Sequence, residues 1–312
     1  MKEYISIFLK GMAMGIAEVI PGVSGGTIAF ITGIYERFIN ALKSFDLSLF
    51  KTLKENGIAG VWKVIDGNFL VALFGGMATS IILFVKMITW LINNETLLVW
   101  AFFFGLIVAS AIFVGRQIQK WNPVNIIALI LGIIFAYTVT VLSPSNGSEN
   151  LLIIFLSGVV AISAMLLPGL SGSFILLILG MYSIIWGGLK DLNLVIAGTF
   201  ALGCLVGVLS FSRILSWTFK NYKNLTLAVL TGFMIGSLNR VWPWQQVLAY
   251  RTNSHGEEVA SFTKSVLPNT FSNLQTANTP FGSDPQLLPV LGLMVVGFAI
   301  VFLLERVSVN NQ

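Results

Sequence analysis

Two apolar stretches, residues 4–42 and 150–188, are each just under forty residues long and are broken near the middle by a Pro-Gly turn. As a straight helix, either would reach ~57 Å, nearly twice the ~30 Å hydrocarbon core of a bilayer. Each must fold back on itself. The breaks are Pro21-Gly22-Val23-Ser24-Gly25-Gly26-Thr27 and Pro168-Gly169-Leu170-Ser171-Gly172-Ser173, and they are the same motif. The match runs outward at a constant offset of 147, pairing Gly11 with Gly158, Ala17 with Ala164, Gly33 with Gly180, Tyr35 with Tyr182 and Lys43 with Lys190. At an offset of 127 the following segments align too, with Gly76 on Gly203, Lys86 on Arg213, Trp90 on Trp217 and Gly105 on Gly232. The chain is an internal duplication, and the first copy is longer because of a polar linker near residues 44–66.

Six further stretches are apolar without a break: 69–92, 97–115, 123–142, 192–217, 225–238 and 286–304. Of the 312 residues, 56% are hydrophobic and 10% charged, against about 25% charged in a soluble domain. A soluble protein is excluded, and the fold class expected is an all-α polytopic membrane protein. Residues 1–149 form one repeat and 150–312 the other, each a re-entrant helical hairpin followed by three transmembrane helices. A hairpin adds no net crossing, so each repeat crosses an odd number of times and the second is upside down. Inverted repeats with broken helices are common in secondary transporters, whose sites lie near the midplane between the repeats.

Charge distribution orients the chain. With both termini in the cytoplasm, ten Lys and Arg residues fall in cytoplasmic segments and four in outer ones, as the positive-inside rule requires. The net charge of +5 is therefore a matter of orientation and not of nucleic-acid binding. Cys204 and His255 each stand alone, which excludes an intrachain disulfide, a cysteine-rich metal site and histidine-pair catalysis. No metal and no cofactor is expected, and a homo-oligomer is left open. Residues 240–285 are read as an outer connector, with a lid over a substrate entrance as the second reading, and Trp242 and Trp244 as interfacial anchors.

The paired turns carry the chemistry. Glycines let the backbone approach a ligand, and the helix after each turn starts with free N–H groups that favour an anion. Gly22, Ser24, Gly25, Gly26 and Thr27 in the first turn, and Gly169, Ser171, Gly172 and Ser173 in the second, are the candidate binding residues. Glu18 has Met165 as its counterpart, so the duplication is asymmetric there. It is read as a coupling or pocket-tuning group, with a pair to Lys10 as the alternative. Lys86 and Arg213 would face opposite leaflets, where they could hand a phosphate across. Arg37 is expected to pair with its neighbour Glu36.

The segment Gly11-Met12-Ala13-Met14-Gly15-Ile16-Ala17-Glu18-Val19-Ile20-Pro21-Gly22-Val23-Ser24-Gly25-Gly26-Thr27, with Leu167-Pro168-Gly169-Leu170-Ser171-Gly172-Ser173, resembles the bacterial polyprenyl-phosphate transporter family of the PopT type. The resemblance covers essentially the whole chain. It implies return of undecaprenyl phosphate, the lipid carrier of cell-wall glycan synthesis, from the outer to the inner leaflet of the cytoplasmic membrane. The same turn is similar to the Pro-Gly-x-Ser-Arg-Ser motif of membrane undecaprenyl-pyrophosphate phosphatases. Gly25 and Gly172 stand where those enzymes have Arg, and their Glu-x-x-x-Glu pair is missing, which favours binding over cleavage. An ion-coupled carrier of a small anion is the third reading.

Overall fold

A computed structural model describes residues 2–20, 23–252, 258–274 and 284–309. The first half begins with α1 (Lys2–Val19), which reaches the first turn. Two short helices return from it, α2 (Gly25–Ile31) and α3 (Tyr35–Lys43). The second half repeats this with α8 (Leu151–Leu166), α9 (Gly172–Ile178) and α10 (Tyr182–Lys190). Both returning legs bend at a glycine in the left-handed region, Gly33 (φ 73°) and its counterpart Gly180 (φ 67°). The bond pattern at the bends is also the same: Ile34 N–H donates to Ala29 O at 3.0 Å, and Met181 N–H donates to Leu176 O at 2.9 Å. These are Schellman closures, which a residue with a Cβ adopts only under strain. Between α9 and α10 the bend is 108°, so the returning leg is sharply broken.

The apolar stretches become α5 (Gly67–Asn94), α6 (Thr96–Arg116), α7 (Pro123–Val141), α11 (Leu194–Asn221), α12 (Lys223–Ser237) and α14 (Leu287–Val309). Among the described residues, α5, α6, α7 and α11 are long and apolar enough to cross a membrane, and the bent α9–α10 pair passes the same test as one broken span. The chain is a multi-pass membrane protein. Its large exposed apolar side chains, such as Val71, Ile82, Ile127, Leu131 and Leu202, lie on spanning helices where lipid is the solvent.

Packing follows the duplication. α1 lies along α5 and α8 along α11, while α6 pairs with α14 and α7 with α12. Small residues set these distances. A Cβ on Gly76 would come within 2.0 Å of Phe8 O, and one on its counterpart Gly203 within 2.1 Å of Phe155 O. Residues 8 and 155 are themselves separated by the 147-residue offset. The main core gathers α1, α2 and α3 with α5, α6 and α12 around Phe69, Leu73, Ile107, Leu227 and Met234.

Two segments carry structure that the sequence pattern does not disclose. The polar linker near 44–66 is helical, α4 (Ser48–Val64), kinked at Gly57, and none of its residues is buried. Its Phe50, Leu53, Ile58 and Trp62 are exposed between lysines 51, 54 and 63. That is an amphipathic pattern suited to a membrane surface, and its charge masked it as a linker. Residues 240–285 are not a plain connector, since they form a bulged antiparallel hairpin, β1 (Gln245–Thr252) with β2 (Glu258–Ser265), and a short α13 (Pro268–Ser272). The core that holds this segment is made from distant single residues, Leu97, Ala101, Trp244, Phe271 and Val290, so no local periodicity announces it. Trp244 is part of this core and Trp242 packs against it. Their Nε1 groups donate to Val266 O at 2.8 Å and Pro285 O at 2.9 Å.

Candidate functional site

The two turns meet. Ser24 caps α2 by accepting from Gly26 N–H at 3.1 Å, and it donates its own proton to Leu167 O at 3.1 Å across the junction. Thr27 Oγ1 accepts from Gly169 N–H at 2.9 Å, and Tyr35 Oη donates to Leu166 O at 2.8 Å. Three bonds therefore tie the first hairpin to the backbone of the second. Gly169 holds φ at 87° and lies so close to α12 that a Cβ would be 3.0 Å from Met234 Cα. Pro21 and Gly22 of the expected site lie outside the described residues.

The tips are unequal. Ser24, Gly25, Gly26 and Thr27 are all buried, and their polar groups are engaged. Gly25 N–H donates to Glu18 Oε1 at 2.8 Å, so a carboxylate of the chain itself occupies the start of α2. The expected alternative, a Glu18–Lys10 pair, does not form. Lys10 Nζ instead donates to Thr32 O at 2.7 Å. At the second tip, where Met165 replaces Glu18, no carboxylate takes that place. Ser171 Oγ makes no capping bond and lies 3.0 Å from Ser173 Oγ. Gly172 is buried and Ser173 is exposed. A Cβ at Gly25 would come within 2.7 Å of Glu18 Oε1, and one at Gly172 within 2.6 Å of Ala161 O. At Gly172 the obstacle is backbone, so the Arg of the phosphatase motif has no room there, whereas at Gly25 it is the end of the Glu18 side chain.

Lys86 and Arg213 do not join the tips. Lys86 is exposed on α5. Arg213 donates to Leu209 O at 2.7 Å and to Phe45 O at 3.0 Å, at the edge of an apolar groove of about 510 Å³ between α4 and α11. Arg37 does not pair with Glu36, because adjacent residues on a helix point apart. It bridges Glu3 at 2.7 Å and Asp66 at 2.6 Å, and Glu36 pairs with Lys223 at 2.8 Å.

Two features escape a motif search. One is a cavity of about 310 Å³ between α3 and α11, lined by Glu36, Asn40, Lys43, Ser216, Phe219 and Lys220. Lys43 Nζ donates to Ser216 Oγ at 3.2 Å, and Ser216 donates to Asn40 Oδ1 at 2.8 Å. Its Phe219 ring lies 5.7 Å from Tyr35, which lies 5.0 Å from Phe30. A plug of three aromatic rings thus separates this cationic cavity from the tip that Tyr35 contacts. The other is Arg240, whose guanidinium carbon sits 4.6 Å from the Phe174 ring centre. The pattern held one usable signal, the Lys43–Lys190 match across the repeats, and none for Arg240.

Known proteins show the family. Residues 14–259 match the family described as VCA0040-like, undecaprenyl phosphate translocase-like. A polyprenyl-phosphate transporter of Vibrio cholerae serotype O1 is 45% identical over 304 residues, covering 97% of each chain. A polyprenyl-phosphate transporter of Staphylococcus aureus is 30% identical over 259 residues, covering 77% of this chain and 87% of its own. No solved structure matches significantly. By the family match and by both relatives, the chain belongs to the VCA0040-like, undecaprenyl phosphate translocase-like family.

Proposed function

We propose that the protein carries undecaprenyl phosphate from the outer to the inner leaflet of the bacterial cytoplasmic membrane, returning the carrier for cell-wall glycan synthesis, and that it is not an enzyme. Residues 1–149 and 150–312 act as two inverted halves with both termini in the cytoplasm. The observation that carries this reading is the meeting of two unequal tips. The first is closed by its own carboxylate and locked onto the second by Ser24, Thr27 and Tyr35. The second offers the Ser171 and Ser173 hydroxyls, which bond only to each other. Such a surface accepts one anionic head group while the isoprenoid tail stays in lipid, so only the charge needs shielding from the hydrocarbon core. The lysine-lined cavity beyond the Phe219–Tyr35 plug then serves as the cytoplasmic exit, where Lys43 and Lys220 attract the phosphate. With Gly at positions 25 and 172, the turns themselves lack the Arg with which the phosphatase motif stabilises a transferring phosphoryl group.

Purified protein in liposomes tests this. It should move undecaprenyl phosphate between leaflets, and Ser171→Ala with Ser173→Ala should lower the rate without changing the fold, since neither hydroxyl bonds another helix. Release of phosphate from undecaprenyl pyrophosphate would assign an enzyme instead. Uptake of a soluble anion without leaflet movement would assign a small-anion carrier.

A further inference from the structure

Arg240 follows α12, a helix of 15 residues that is ~22 Å long and so shorter than the ~30 Å hydrocarbon core. A helix that spans from one boundary would then end short of the other, and β1–β2 roofs the turn that follows it. Gln245 Nε2 donates to Arg240 O at 2.7 Å, and Ser265 Oγ donates to Asn239 O at 2.9 Å. Asn239 Nδ2 reaches Thr140 Oγ1, at the end of α7, at 2.7 Å. Inside this polar knot the Arg240 guanidinium stacks on Phe174, the residue after Ser173. Nη1 donates to Thr263 Oγ1 at 3.0 Å. Nε is shut off from solvent with no partner, and it is the one buried side-chain polar atom in that condition among the described residues. No carboxylate among the described residues lies within ion-pair distance of Arg240.

A guanidinium at this depth is costly and marks function more often than packing. An unpaired buried donor is costly too, and calls for an explanation. With Nη1 committed to Thr263, the free side is the Nε–Nη2 edge, the fork that grips two oxygens of one phosphate. The Phe174 face fixes the plane of the fork by a cation–π contact and sets it beside the second tip.

We propose that Arg240 is the phosphate receptor on the hairpin-covered side of the second tip, binding the phosphomonoester through its Nε–Nη2 edge and passing it to Ser171 and Ser173. This rests on the transport reading above and adds the cation that the motif lacks. Because β1–β2 covers the edge, the hairpin must lift to admit a ligand.

The test is binding of undecaprenyl phosphate to the full chain in nanodiscs, with inorganic phosphate as a parallel probe, alongside leaflet movement in liposomes. Arg240→Gln should weaken lipid-phosphate binding about tenfold to a hundredfold, as loss of a charge-assisted pair implies. Arg240→Lys, which keeps the charge and loses the fork, should recover only part of it, and it carries the test if Arg240→Gln does not fold. Thr263→Ala should leave affinity near wild type. If Thr263→Ala matches Arg240→Gln, Arg240 only anchors the hairpin and the proposal fails. Wild-type affinity in the folded Arg240→Gln protein also overturns it. Binding of inorganic phosphate alone, dependent on Arg240, overturns the lipid head group as its source. Failure of the wild-type protein to move the lipid would overturn the transport reading instead.

Discussion

At the scale of single residues, the junction depends on Thr27. Its hydroxyl is wholly buried and is the acceptor for Gly169 N–H, a donor held in a backbone conformation that offers it no helical partner. Thr27→Val keeps the shape and removes the acceptor, leaving the N–H buried and unpaired. It should cost about 1–3 kcal/mol, seen as a lower unfolding temperature in detergent, and an unchanged unfolding temperature would show that Gly169 finds another partner. Thr27 and Ser24 are legible from the motif alone, because a hydroxyl beside a Pro-Gly turn has few other uses. What is not legible is that their partners are backbone groups of the other copy, more than 140 positions away in the chain. Tyr35 and Arg240 are hidden for the same reason. Nothing in their local sequence separates a tyrosine that bonds Leu166 O, or an arginine that stacks on Phe174, from an ordinary interfacial residue. Glu18 is intermediate: the break in symmetry with Met165 exposes it, but its acceptance of Gly25 N–H appears only when the turn is built.

At the scale of elements, the helices are legible because apolar length leaves a bilayer segment little choice, and the six plain stretches match α5, α6, α7, α11, α12 and α14 to within a few residues. The glycines show how those helices approach. On α1, a Cβ at Gly11 would meet Leu73 O at 2.2 Å, and at its counterpart Gly158 on α8 one would meet Phe200 O at 2.6 Å. Residues 73 and 200 are separated by the second offset of 127, so the duplication preserves contacts and not just residue types. Where the copies differ they differ in compensation: Gly15 faces Ser80 on α5, while Ile162 faces Gly207 on α11, so the small residue has changed helix and the spacing survives. Gly76→Ala, pressed against Phe8 O, should force α1 off α5 at a cost of about 1–3 kcal/mol. Gly198→Ala on α11 meets nothing within 4 Å and should cost nothing or stabilise slightly. Thermal unfolding of the two variants side by side separates close packing from glycine content, and equal losses would refute the packing account. The elements that escape the sequence are those held by scattered contacts or by a surface, β1–β2 and α4.

At the scale of the whole molecule, the halves are not independent bundles. α6 of the first half lies against α14 of the second, and α7 of the first against α12 of the second, so each half lends its partner a helix. Parity of crossings predicts an inverted second half, but the last spans align too weakly in sequence to disclose this exchange. Its consequence is that a rocking motion cannot separate the halves wholesale. It must open seams between packed helices, and the α3–α11 seam is one whose opening would reach a cavity. Two side-chain bonds hold it, Ser216 Oγ to Asn40 Oδ1 and Lys43 Nζ to Ser216 Oγ, and behind them stand the cationic cavity and the Phe219–Tyr35 plug. If the phosphate leaves by this route, α3 must part from α11 in every cycle. Asn40→Cys with Ser216→Cys, in a Cys204→Ser background that removes the native thiol, places two thiols on facing sides of the seam. Oxidised protein in liposomes should then bind undecaprenyl phosphate but fail to move it between leaflets, and a reducing agent should restore movement. Undiminished movement in the fully oxidised protein would mean that the head group takes another path, and that the lysine-lined cavity is a packing feature.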